Sequence, residues 1–212
     1  KMVTGTVGID MVAGPSEVLI IADEGALPEY VAADLLAQAE HDSMATAVLI
    51  TTSAGLAEEV TTELDRQLEK LERQETASES LKTTGLLLVV DNTETATEIA
   101  NKIGPEHLEL LVSDPWVLVP KIHHAGAIFM GNVTPEPIGD YIAGPNHVLP
   151  TMGTARFSSA LGVENFLKYS SVLSYSQEAF QEDADDVIRL AEIEGLTAHA
   201  QSIKVRQLLK HS

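Results

Sequence analysis

Ser16–Thr52 reads SEVLIIADEGALPEYVAADLLAQAEHDSMATAVLITT, and its internal rhythm decides the fold. Two short runs, Val18–Asp23 (VLIIAD) and Thr46–Thr52 (TAVLITT), are almost uninterrupted in apolar and β-branched residues. Between them, Pro28–Asp42 is longer and carries apolar residues at helical spacing behind an N-terminal proline. A strand that is apolar on both faces, followed by a helix and a second such strand, predicts a parallel sheet covered on both sides.

Working outward, the rhythm repeats. Leu86–Asp91 (LLLVVD), Leu108–Val112 (LELLV) and Ala127–Met130 (AIFM) are further strand candidates. Ala54–Glu72, Glu94–Lys102 and Pro115–His124 are helix candidates. The expected fold class is α/β, a layered parallel sheet. After Gly131 the pattern dissolves into a proline- and glycine-rich stretch, Asn132–Ala155, and a loop this long in a compact chain is usually functional. Beyond it, Lys168–Tyr175 alternates like a short strand, Gln177–Ile193 reads as an acidic helix and Thr197–Leu209 as a last helix. This tail forms a candidate small C-terminal domain. Lys1–Met11 runs straight into structured sequence without an initiator methionine, so the chain is expected to be a fragment.

The 212 residues include 32 Asp and Glu against 13 Lys and Arg, a net charge of −19, which argues against nucleic-acid and anionic-membrane partners. No apolar run approaches the roughly 20 residues of a membrane span, and no signal peptide is evident. With no cysteine there is neither a disulfide framework nor a thiolate site, in keeping with a reducing compartment. A cytoplasmic protein is expected.

Several polar residues stand where chemistry is possible. Gln38 and His41, three apart near a predicted helix end, share a face and can grip one object together, though alone they also suit a polar helix terminus. Glu106 and His107 follow Gly104-Pro105 directly before a strand, at the sheet rim where α/β ligands bind. A carboxylate beside an imidazole supplies two general bases of different strength, suited to more than one proton transfer. Asp140 and His147 lie in the long loop, an oxygen ligand and a substrate donor respectively, although Asp in a glycine-rich turn is commonly just a turn residue. Ser16 precedes a strand without the elbow of a nucleophile. Glu194 and His199 flank the break between the last two helices, whereas His123, His124 and His211 lack a chemical context. There is no dinucleotide glycine fingerprint, phosphate loop or His-Glu-x-x-His helix.

Taken in order, IDMVAGPSEVLIIAD, DLLAQAEHD, GPEHLEL, GDYIAGPNHVLPT and EGLTAH resemble the motifs of the C-terminal half of histidinol dehydrogenases, along essentially the whole chain. The resemblance implies an incomplete Rossmann-like α/β fold, with residues 1–17 ending a preceding Rossmann-like domain, 18–160 forming the α/β domain that carries most of the site, and 161–212 a small C-terminal domain. It implies oxidation of L-histidinol through L-histidinal to L-histidine, with zinc and two NAD. Its implied zinc ligands are Gln38, His41, Asp140 and His199, and its catalytic pair is Glu106 and His107. Ser16, His107, His147 and Glu194 would contact histidinol, as would the zinc ligands.

The resemblance also implies a homodimer in which Glu194 and His199 reach the partner's site, and an N-terminal half carrying much of the NAD contact, which leaves the cofactor residues here unnamed. That half, as a separate fragment, would be a further partner. Two alternatives from other classes remain at this point: a zinc-dependent hydrolase, turning over without nicotinamide, and a metal- or ligand-binding fragment without activity of its own.

Overall fold

The computed structural model describes residues 2–3 and 5–208 and divides into two compact units, Lys1–Leu167 and Lys168–Ser212. In the first, five strands form one all-parallel sheet: β1 (Glu17–Ala22), β2 (Thr46–Thr51), β3 (Leu86–Val89), β4 (His107–Leu111) and β5 (Ala127–Met130). Their spatial order is β3-β2-β1-β4-β5. The chain winds outward from β1 to one edge and then restarts on the other side of β1 with β4, as in doubly wound dinucleotide folds.

The apolar runs of β1, β2 and β4 are explained by two covered faces, whereas the edge strands β3 and β5 leave Leu86, Leu87, Val89 and Ile128 exposed. Val18, Ile20, Ala22 and Leu111 pack with Val31, Ala32 and Leu35 of α1 (Pro28–Ala39) and with Leu56 and Val60 of α2 (Ala54–Leu68). The alternate residues Leu19, Ile21, Leu108 and Leu110 pack with Ala96 and Ala100. The pattern breaks at Glu109, which is 2% exposed within the central run LELLV.

Several local expectations need correction. Ala54–Glu72 is not one helix: α2 stops at Leu68, the chain turns, and α3 (Gln74–Thr83) follows. Leu68 and Leu71 fold back onto Leu36, Ala39 and Ala77, and Ser80 Oγ donates to the Ala45 carbonyl at 2.8 Å. This tertiary burial stabilises a helix whose own sequence is weakly patterned. α4 spans Thr93–Ile103, capped by the Asn92 side chain and closed by Gly104 at φ 65°. Pro115–His124 forms only two 3₁₀ turns, Pro115–Val117 and Val119–Lys121, because Pro120 supplies no N–H to an α-helical ladder. The long irregular stretch contains a six-residue helix, α5 (Glu136–Tyr141), begun by prolines 135 and 137.

The second unit contains α6 (Gln177–Ile193), capped by the Ser176 hydroxyl, and α7 (Thr197–Leu208), packed together as a hairpin through the left-handed Gly195. Lys168–Tyr175 is not a strand, for its unit offers no sheet edge to pair with among the described residues. Leu209, the expected last residue of α7, and His211 lie outside the described residues. Among those described, no helix is long and apolar enough to cross a membrane.

Candidate active site

β1 and β4 are neighbours, with Val18 opposite His107, so Ser16-Glu17 and Glu106-His107 come side by side at their amino ends. The site is therefore at a rim of the sheet, but at the edge opposite the carboxyl ends where ligands of open α/β sheets usually bind. Glu17 N–H donates to Glu106 Oε2 at 2.9 Å, and the Glu17 carbonyl lies 2.9 Å from His107 Nδ1. A carbonyl only accepts, so Nδ1 carries the proton and Nε2 presents its lone pair. Nε2 is buried and has no hydrogen-bond partner among the described residues. Burial holds the imidazole pKa below its usual value, against the opposing effects of the Glu17 carbonyl and Asp140. His107 is thus a neutral base with its basic nitrogen free.

Glu106 is nearly buried, its Oε2 3.5 Å from His107 Nδ1. Burial pushes its carboxyl up to about 7, although Glu17 N–H and the Ser16 hydroxyl favour the ionised form. A carboxyl that changes protonation near neutrality therefore stands beside an imidazole held neutral by burial. Local sequence accounts for their placement. Gly104 ends α4 in a left-handed conformation, Pro105 bars continuation, and Gly126 lies so close that a Cβ there would be 2.6 Å from the Glu106 carbonyl oxygen.

Two helices bring further polar groups to this face. On α1, Asp34 precedes Gln38 by one turn, and His41 follows in the turn just beyond the helix, which ends at Ala39, earlier than the expected Asp42. The Gln38 amide nitrogen is buried without a hydrogen-bond partner among the described residues, whereas His41 is exposed and close enough to His107 to depress its pKa further. On α5, Glu136 and Asp140 are likewise one turn apart. His107, Glu136 and Asp140 each offer a ligand atom, all within 4.8 Å of one another, and Glu136 Oε1 is 3.9 Å from His107 Nε2. Burial raises the Glu136 carboxyl to about 8, helped by its hydrogen bond to Asp140. The His107 imidazole with the Glu136 and Asp140 carboxyl oxygens forms a nitrogen and oxygen donor set whose chemistry fits a zinc ion.

The remaining expected residues are dispersed. Ser16 is half-buried beside Glu106. His147 is exposed and lines, with Phe129, Asp140 and Asn146, a cavity of about 160 Å³. Glu194 is the exposed C-cap of α6 and His199 is exposed on α7, both in the second unit. Glu17, Asp34, Glu109 and Glu136 were not among the expected site residues. Glu109 was detectable as an acid inside an apolar strand, and Asp34 by its helical spacing from Gln38. Glu17 contributes through its backbone, which no residue pattern encodes.

The sequence profile of the histidinol dehydrogenases matches residues 1–207. The chain belongs to the histidinol dehydrogenase family. It is 61% identical over 206 residues to a histidinol dehydrogenase of Desulfotalea psychrophila, covering 97% of this chain and 48% of that protein. It is 56% identical to that of Carboxydothermus hydrogenoformans with the same coverage. The crystal structure of histidinol dehydrogenase from Elizabethkingia anophelis superposes with a TM-score of 0.87 at 39% identity, covering 95% of this chain and 46% of that one. The chain spans about half the length of the histidinol dehydrogenases it matches.

Proposed function

We propose that this chain carries the proton-transfer and metal-binding centre of a zinc-dependent, NAD-linked oxidation of L-histidinol through L-histidinal to L-histidine, closing histidine biosynthesis in the cytoplasm. The observation that carries this reading is the grip of Glu17 on the Glu106-His107 pair, in a member of the histidinol dehydrogenase family. Gln38, His41 and Asp140 would hold the zinc, with His199 completing the set across a homodimer interface. Bound zinc would orient the amino and imidazole nitrogens of histidinol, and bound NAD would accept a hydride in each of two oxidations.

The chain's own residues manage the protons. His107 Nε2 takes the alcohol proton in the first oxidation. Glu106 takes a proton from the water that adds to the aldehyde, and the hydrate is then oxidised to the carboxylic acid with His107 again as base. Glu136, its carboxyl raised by burial, hydrogen-bonds Asp140 beside His107. Ser16, beside Glu106, and His147, beside the Asp140 cavity, are suited to contact substrate, as is Glu194 from the partner. An N-terminal polypeptide of the kind the longer relatives contain would supply cofactor contacts.

The test is turnover with zinc, L-histidinol and NAD, by the chain alone and within a polypeptide of its relatives' length. The expected result in the longer form is two NADH formed for each histidine. One NADH per product, or turnover without nicotinamide, would overturn the reading.

A further inference from the structure

Asp34 and Glu109 take no part in the proton transfers above, yet they meet in the layer between β4 and α1. Glu109 stands two residues after His107, on the same face of β4. Its Oε1 accepts the N–H of Glu136, the first residue of α5, at 2.9 Å, and this contact is buried. Its carboxyl faces Asp34 of α1, one helical turn before Gln38, while its Oε2 is buried with no hydrogen-bond partner among the described residues. Leucine would be buried here at no electrostatic cost, so a carboxyl must be compensated by what it binds.

We propose that Glu109 is a positioning residue: by holding the first peptide of α5 through a buried hydrogen bond, it sets that helix beside His107 and so places Asp140. Its consequence for metal binding rests on the zinc reading above, whereas its structural part does not.

The test uses amide hydrogen exchange on the metal-free chain, with zinc affinity measured separately by competition with a chromophoric chelator. Glu109→Gln retains an oxygen for the Glu136 N–H and gains an N–H for Asp34, and should behave like the unsubstituted chain. Glu109→Leu should speed exchange at Glu136 and along α5 ~10-fold or more, the effect of losing one buried hydrogen bond, while β1 and β2 stay protected. Asp34→Ala removes the facing carboxyl but not the Glu136 contact and should leave the Glu136 N–H protected, a contrast that still decides the matter if Glu109→Leu fails to fold.

Zinc affinity should fall ~10-fold or more in Glu109→Leu and stay within ~3-fold in Glu109→Gln, given the sensitivity of metal sites to supporting residues. Unchanged α5 protection in Glu109→Leu, equal damage in Glu109→Gln, or uniform loosening in Asp34→Ala would overturn the proposal. Absence of zinc binding by the unsubstituted chain in every form, with the exchange pattern as expected, would instead remove the metal reading and leave the positioning role standing.

Discussion

Glu17 accepts from His107 Nδ1 through its carbonyl oxygen at 2.9 Å, and its own N–H, on the other side of the same residue, donates to Glu106 at 2.9 Å. One residue of β1 thereby selects the His107 tautomer and orients the neighbouring carboxyl, using backbone groups that every substitution at position 17 except proline retains. The Glu17 side chain also accepts from the Met152 N–H at 2.9 Å, tying the long loop to the same place.

The two bases should separate kinetically. In an active polypeptide, His107→Asn is expected to slow both oxidations by roughly 10²–10⁴-fold, the usual range for a positioned general base. Glu106→Gln should slow histidinal oxidation much more than histidinol oxidation. Steady-state rates on each substrate check this, and equal losses for Glu106→Gln would remove its water-activating role.

Alkaline pH should weaken the metal-free chain. Glu136 and Glu109 hold their protons up to about 8 and about 9, and Glu106 to about 7, chiefly because of burial. Unfolded carboxyls ionise near pH ~4. The folded chain therefore binds more protons than the unfolded one in the intervening range, and stability falls as pH rises through the folded values. His107 shifts oppositely, and its stability contribution is complete above its ordinary value near ~6.5. Urea midpoints should thus decrease from about pH 7 to about pH 9, and Glu109→Gln should flatten that decline.

Metal binding should require two chains and deprotonated ligands. Zinc affinity is expected to rise with pH, since metal ions compete with protons for their ligands. If His199 reaches the partner's site, mixing His41→Ala and His199→Ala chains in an active background should restore activity in part, because some mixed dimers contain one intact site. No recovery after confirmed subunit exchange would place the whole site within one chain.

Gly126→Ala should disturb the Glu106 backbone. The added carbon would lie 2.6 Å from the Glu106 carbonyl oxygen and 3.1 Å from Pro150 Cδ, contacts that require the backbone to shift. A loss of about 1–3 kcal/mol, read from denaturation midpoints, is expected for such overpacking. Gly8→Ala, with nothing within 4 Å of the new carbon, is the neutral control.

The strands VLIIAD and TAVLITT were legible because a strand buried on both faces must be apolar along its whole length, and the order of elements then required parallel crossovers. Gln38, His41, Glu106, His107 and Asp140 were legible as candidates from residue type and spacing, supported by resemblance. α3 and α5 were not. Their sequences contain little periodicity, and burial against Leu36 and Ala39 or the hydrogen bond from Glu136 to Glu109 stabilises them from outside.

The sequence by itself determined the α/β class, the family and the residue types available for chemistry, because periodicity and motif spacing are properties of neighbours along the chain. Only the tertiary structure decided that the candidate site sits at the amino edge of β1 and β4, that His107 presents an unprotonated Nε2, and that Glu109 holds the start of α5. Those features depend on strand order, on a backbone carbonyl supplied from 90 residues away, and on burial that moves carboxyl pKa values. None of these is set by local sequence, since each arises from which segments the fold brings into contact.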